Sequence, residues 1–231
     1  MAVTESDRIA SLRARFAARR PVVLLNPDSD DPAAILRLVG QGFREIFLDI
    51  ESGSVPPESL PTLCETLRAA GAIPLVRPAT HHAEDISACL TAGALGIVAP
   101  GIASVAVAQA VCDTVARSSR ADGLRLSIIE SVAALPNVTS LAAVDTMDAY
   151  MIGPRDLGRS MDPPREPADA EVRAMVKDIL GQLARTGKAS GTPVVPTRID
   201  ELSQAGCSVF YVHAAGLDDA ALAQFLALAR S

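Results

Sequence analysis

The chain has 231 residues and no tryptophan, and aromatics make up only 3% of it. Ala, Leu, Val and Ile must therefore fill its core, and at 49% hydrophobic and 21% charged that core is well supplied. Long apolar runs are also missing. The most apolar stretch, Gly96 to Val111, is broken by Pro100, Gly101 and Gln109 and is too short to span a bilayer. The N-terminus MAVTESDRIASLRARF is polar, so no targeting signal is expected. Basic clusters are absent beyond the short stretch Arg13 to Arg20, and the net charge is −6, which disfavours nucleic acid as a partner. There is no CxxC pair, and Cys64, Cys89, Cys112 and Cys207 lie far apart without zinc-finger histidine spacing. Four reduced, packed thiols in a cytoplasmic protein are the expectation.

What is present is an alternation of short apolar runs with longer amphipathic segments. A leading helix is predicted over 1–19, with Ile9, Leu12 and Phe16 on one face. Strands are predicted at 21–25, 45–50, 73–77, 95–99, 124–129, 149–152, 194–195 and 209–212. Helices are predicted at 31–40, 57–70, 83–92, 104–117, 139–144, 168–186, 199–204 and 218–229, with Gly71, Gly93, Gly187 and Gly206 closing four of them. The strands are continuous apolar runs, as in a parallel sheet buried on both faces. Eight such units over 1–231 predict an α/β fold of one domain, a (β/α)8 TIM barrel with an N-terminal helix. A doubly wound open sheet is the runner-up, but no GxGxxG turn follows the first strand.

Barrel active sites lie at the C-terminal strand ends. The polar groups there are Asn26-Pro27-Asp28, Asp49 to Ser54, Arg77 with Thr80-His81-His82, Glu130, Gly153-Pro154-Arg155-Asp156, and His213. Two carboxylates at the exits of neighbouring buried strands, Glu130 and Asp156, are costly to place without a cation or a proton. They suit a divalent ion, Mg²⁺ first, with Mn²⁺ or Co²⁺ as alternatives. A 2-keto acid could chelate such an ion through its carboxylate and carbonyl, with Arg77 on the developing oxyanion. Plainer readings stand beside these. Glu130 and Asp156 could be solvated acids or partners of Arg155. Arg77 could sit in a buried salt bridge to Asp49 or Glu51, which are expected to share one strand face. His81 and His82 could be a capping segment, Ser52 a loop serine, and His213 a strand-end packing residue.

The runs FREIFLDIESG, PLVRP, GALGIVAP, IIES and YMIGPRDLG, in this order, resemble the HpcH/HpaI aldolase/citrate lyase family over residues 20–230. The resemblance implies a (β/α)8 barrel in a trimer or hexamer. It implies a metal-dependent carbon–carbon lyase acting on a pyruvate enolate, with a small keto acid as partner and neither nucleic acid nor membrane. It implies Glu130 and Asp156 as metal ligands and Arg77 as the residue stabilising the enolate. The backbone around Gly153, Pro154, Arg155 and Asp156 would hold the substrate carboxylate, with Asp49 and Glu51 supporting the site. In the family's D-x-E-H motif the histidine position holds Ser52, and a serine is no general base near neutral pH without help. A water on the ion, or a histidine such as His81, would then move the proton. The segment joining the fourth helix to the fifth strand, Ser118 to Gly123, is short for the family, and Ile128 stands where many relatives have Gln. A citrate-synthase-like condensing enzyme, or a weakened relative that binds a keto acid and regulates, are the alternatives.

Overall fold

Each strand is buried on both faces because one face lies inside a closed ring and the other lies under helices. The structure, a computed structural model, describes residues 3–230. Its strands are β1 (Val22–Asn26), β2 (Glu45–Asp49), β3 (Ile73–Arg77), β4 (Gly96–Ala99), β5 (Leu124–Ile129), β6 (Ala149–Ile152), β7 (Ala189–Pro193) and β8 (Val209–His213). They pair in parallel and in chain order, and β8 closes on β1. The helices are α1 (Glu5–Ala17), α2 (Pro32–Gln41), α3 (Leu60–Ala69), α4 (Ala83–Thr91), α5 (Val105–Arg117), α6 (Val138–Ala142), α7 (Pro154–Arg159), α8 (Ala170–Arg185), α9 (Ile199–Gln204) and α10 (Asp219–Ala229). The predicted TIM barrel is the observed fold. Residues 1, 2 and 231, at the ends of the predicted 1–231 unit and of its 1–19 helix, lie outside the described residues. Among the described residues no helix is long and apolar enough to cross a membrane.

Two apolar clusters divide the core. One lies between the strands and their helices and includes Val23, Leu25, Ile46, Leu48 and Val76. The other fills the barrel with alternate strand residues, among them Val22, Leu24, Phe47, Leu75, Ile128, Met151 and Tyr211. Ile9, Leu12 and Phe16 of α1 join this interior cluster. Arg15 of α1 reaches Glu45 at the start of β2, and Arg13 donates to the Gly123 carbonyl ahead of β5. The leading helix therefore plugs the N-terminal mouth of the barrel. Its first turn is held by a capping box: Thr4 Oγ1 accepts from Asp7 N–H at 3.1 Å, and the Asp7 carboxylate accepts from Thr4 N–H at 2.9 Å. Thr4→Ala is expected to cost about 1 kcal/mol, read as a lower urea midpoint with an unchanged slope.

The structure moves one strand and adds one helix. The predicted seventh strand at Val194-Val195 is instead Ala189–Pro193, written ASGTP. Small and polar residues hide it from a search for apolar runs, and at one of them the barrel leaves no room for a side chain. A Cβ on Gly191 would lie 1.7 Å from the Val209 carbonyl oxygen of β8. The Gly153-Pro154 turn does not lead into a loop but opens helix α7, with Pro at its first position. Asp156 therefore sits on a helical turn rather than beyond a bend. The glycines predicted to end helices, Gly71, Gly93, Gly187 and Gly206, all have positive φ.

Candidate active site at the C-terminal rim

A cavity of about 360 Å³ opens at the C-terminal ends of the strands. Its floor is the top layer of the barrel interior, Phe47, Ile128, Met151 and Tyr211. Its polar wall includes Asp49, Ser52, Arg77, Glu130, Asp156 and His213.

Arg77 ends β3 directly beside Asp49, which ends β2. Its Nε and Nη2 donate to Asp49 Oδ1 and Oδ2 at 2.8 and 2.6 Å, a fork matched to a carboxylate. Its Nη1 lies 2.6 Å from Glu51 Oε2, so all three nitrogens are engaged. The guanidinium carbon stands 5.9 Å from the Phe47 ring centroid. Both salt bridges considered for Arg77 thus exist, and Arg77 still faces the cavity. Asp49 is only 2% exposed. Burial opposes its ionisation, but the hydrogen bonds and charge of Arg77, with a bond from Ser52 N–H, hold it below the ordinary aspartate value. Glu51 is raised by burial and by the charges of Asp49 and Asp156, with Arg77 pulling the other way. It lies past the end of β2 in the following turn, so the expectation that Asp49 and Glu51 share a strand face is corrected. The strand stops at Asp49, and the two acids meet at Arg77 from different backbone settings.

Glu130 follows β5. Its Oε1 accepts the Gly101 N–H at 2.6 Å. Burial pushes its carboxyl up to about 7; the Gly101 bond works against the shift, and the charges of Glu51 and Asp156 add to it. Gly153 makes room for it, since a Cβ there would lie 2.8 Å from Glu130 Oε2 and 2.9 Å from Glu130 Cβ. Asp156 pairs with Arg159 one turn along α7 at 3.1 Å, not with Arg155. Both partners are substantially exposed, so that pair is weak. Arg155 is exposed at the cavity edge. The Gly153 N–H, expected to help hold a substrate carboxylate, donates to the Ile129 carbonyl at 3.0 Å and is committed to the sheet. The first-turn amides of Arg155 and Asp156 on α7 have no acceptor within the helix.

The charges of Glu51 and Asp156 thus act on Glu130 against its bond from Gly101. Among the described residues no three His, Cys, Asp or Glu side chains form a metal cage of their own. Two carboxylates that leave the remaining positions to solvent and substrate oxygens fit a hard ion such as Mg²⁺.

The other sequence-predicted residues separate. Ser52 lines the cavity, but its hydroxyl donates to Ser54 Oγ at 3.3 Å and meets no base. His81 does not line the cavity: its Nδ1 is 3.1 Å from the Pro100 carbonyl oxygen, and its ring covers Gly101. With Thr80 bonded to Asp85 and His82 at the N-cap of α4, that segment is a helix entry. His213 ends β8 and packs edge-on against Tyr211, but it does more than pack. Its side chain is 54% exposed, lines the cavity and pairs with Asp28. Asn26, Asp28, Phe47 and Tyr211 are cavity residues that the sequence reading assigned no role.

The chain is similar to known proteins over most of its length. A profile of the HpcH/HpaI aldolase/citrate lyase family matches residues 24–224. The 4-hydroxy-2-oxo-heptane-1,7-dioate aldolase of Klebsiella pneumoniae subsp. pneumoniae is 28% identical over 183 residues, which cover 67% of this chain and 68% of that protein. The pyruvate aldolase of Rhizobium etli is 32% identical over 171 residues, 74% of this chain but only 56% of that protein. A crystal structure of a HpcH/HpaI aldolase/citrate lyase family protein from Burkholderia cenocepacia superposes with a TM-score of 0.77 at 20% identity, covering 88% of this chain and 92% of that one. The family match runs from β1 into α10 and so takes in every strand and every rim carboxylate described above: the chain belongs to the HpcH/HpaI aldolase/citrate lyase family.

Proposed function

We propose that this cavity binds a small 2-keto acid and works as a metal-dependent aldolase, making or breaking a carbon–carbon bond next to a pyruvate enolate. The observation that carries the reading is Glu130, a half-buried carboxyl on the cavity wall pushed up to about 7 by burial and by the charges of Glu51 and Asp156. Such a group is relieved by a cation. The relatives named as pyruvate and 4-hydroxy-2-oxo acid aldolases support the same chemistry.

In this reading Glu130 and Asp156 hold a divalent ion, Mg²⁺ first, or Mn²⁺ or Co²⁺. A bound ion supplies Lewis-acid polarisation of the keto group. Arg77 donates to the oxygen that becomes the enolate oxyanion, giving up Glu51 and keeping its fork on Asp49. Asp49 thereby aims the guanidinium, and Glu51 balances its charge when the cavity is empty. The first-turn amides of α7 and the Arg155 side chain take the substrate carboxylate. Phe47, Ile128, Met151 and Tyr211 keep water from the face of the enolate. A homo-oligomer, trimer or hexamer, and a cytoplasmic setting complete the reading. All four cysteines are free and buried, and burial pushes the Cys64, Cys89 and Cys207 thiols up to about 12, as suits inert packed thiols in a reducing compartment.

The test is proton exchange. Pyruvate in D₂O should lose its methyl proton signal when protein and Mg²⁺ or Mn²⁺ are both present, and keep it when either is left out. Absence of exchange with Mg²⁺, Mn²⁺ and Co²⁺ alike would overturn the reading.

A further inference from the structure

Aldol cleavage needs a group to take the hydroxyl proton, and Ser52 and His81 are both committed elsewhere. We propose that His213, oriented by Asp28, is the general base of this site; the proposal rests on the aldolase reading above.

The pair is built by the closure of the barrel. Asn26, the last residue of β1, lies in register with His213, the last residue of β8. The chain leaves β8 with Ala214 N–H donating to the Asn26 carbonyl at 2.8 Å. Two residues after Asn26, Asp28 takes a φ of +52°, in the left-handed region that a non-glycine residue seldom occupies. Its N–H donates to Asn26 Oδ1 at 2.9 Å, and its Oδ2 accepts the Ala215 N–H at 3.0 Å. These two bonds hold a strained residue so that the free oxygen, Oδ1, lies 2.6 Å from His213 Nδ1. A carboxylate there accepts, so Nδ1 carries a proton and Nε2 is the ring nitrogen left to exchange one.

The ring is held from a second side. Tyr211, two residues earlier in β8, meets the imidazole edge-on, with centroids 4.8 Å apart and planes at 77°. The Tyr211 hydroxyl in turn accepts from Asn26 Nδ2 at 2.8 Å. Asn26 thus positions both the aspartate, through its side-chain oxygen, and the tyrosine, through its side-chain nitrogen. An imidazole fixed by a carboxylate on one nitrogen, half open to solvent, and lining the same cavity as Glu130, Arg77 and Ser52 has the parts of a base held by an orienting acid.

The step balances without another reactant. In the cleavage direction Nε2 takes the proton of the C4 hydroxyl of a 4-hydroxy-2-keto acid. The C4–O bond becomes a carbonyl, the C3–C4 bond breaks, and its electron pair forms the C2–C3 double bond of the enolate. The imidazolium, stabilised by Asp28, returns its proton to C3 through solvent, leaving pyruvate and an aldehyde.

Two substrates separate the roles. Cleavage of 4-hydroxy-2-oxovalerate needs the base, whereas oxaloacetate breaks its C3–C4 bond by losing CO₂, with no hydroxyl proton to remove. His213→Ala and His213→Gln should lower kcat for aldol cleavage about 100-fold or more with little change in KM, and oxaloacetate decarboxylation by no more than about threefold. Added imidazole should restore part of the aldol rate in His213→Ala, and Asp28→Asn should show the same bias toward the aldol step. Wild-type cleavage rates in both His213 variants would overturn the proposal, as would equal loss of both reactions without rescue by imidazole. Wild-type protein that performs neither reaction with Mg²⁺, Mn²⁺ or Co²⁺ would overturn the aldolase reading and the base together; a failure confined to the variants would leave the aldolase reading standing.

Discussion

Glu130→Gln is expected to abolish divalent-ion binding and to slow pyruvate proton exchange by about 10³-fold or more, the rate equivalent of several kcal/mol of lost enolate stabilisation. The same change should leave the fold intact. Without an ion, Glu130 is a burden: burial and the charges of Glu51 and Asp156 push its carboxyl up to about 7, against one hydrogen bond from Gly101. Glutamine keeps an acceptor for that N–H and removes the charge. In EDTA the variant should therefore unfold at a higher urea concentration than the wild type. With Mn²⁺ the order should reverse. An ion present at about 100 times its dissociation constant stabilises the wild type by about 2.7 kcal/mol and cannot stabilise a variant that does not bind it. Urea midpoints with EDTA and with Mn²⁺, set beside exchange rates from proton NMR, make the check. A wild type whose midpoint ignores Mn²⁺, or a variant that still responds to it, would refute the assignment of Glu130.

The rim position of these groups was legible because a parallel barrel sends every strand to one end. Once 124–129 and 149–152 are strands, Glu130 and Asp156 must emerge on the same side, as Arg77 must beside Asp49. The rest was hidden for physical reasons. β7 consists of Ala, Ser, Gly, Thr and Pro, with Gly191 required by the close backbone of β8, so it carries no apolar signal. Helix α7 begins at a Gly-Pro pair that serves equally well to turn a chain or to start a helix. The Asp28–His213 pair joins residues 185 apart and exists only because β8 closes on β1. His213 in isolation reads as the end of an apolar strand; its partner is named by the closure, not by the local sequence. His81 fails for the opposite reason. It stands on the correct rim in sequence, but its ring is drawn to the Pro100 carbonyl at the entry to α4.

Removing Arg77 is expected to harm stability as well as chemistry, and with a pH dependence of known sign. Arg77→Met deletes the fork on Asp49 and the contact to Glu51 while leaving two carboxylates in place, one of them only 2% exposed. Breaking a buried pair from one side typically costs about 3–5 kcal/mol. In the wild type, Arg77 holds Asp49 below the ordinary aspartate value in spite of burial. That interaction stabilises the fold above the unfolded aspartate pKa of about 3.9 and is lost as pH falls through the lower folded value. In the variant, burial acts on Asp49 against only the Ser52 bonds, and its folded pKa rises. Its contribution is then favourable only while the carboxyl is protonated, and it is lost as pH rises. Between pH 4 and pH 7 the Asp49 contribution should therefore stay nearly constant in the wild type and turn against the fold in Arg77→Met, so urea midpoints should fall more steeply in the variant than in the wild type over that range. The double variant Asp49→Asn/Arg77→Met should recover part of the loss at pH 7 by removing the stranded charge, yet regain none of the enolate exchange, since nothing then faces the developing oxyanion from β3. Recovery of exchange in the double variant would show that Arg77 serves only to neutralise Asp49. An identical pH trend in wild type and Arg77→Met would show that Asp49 draws its ionisation from some other partner.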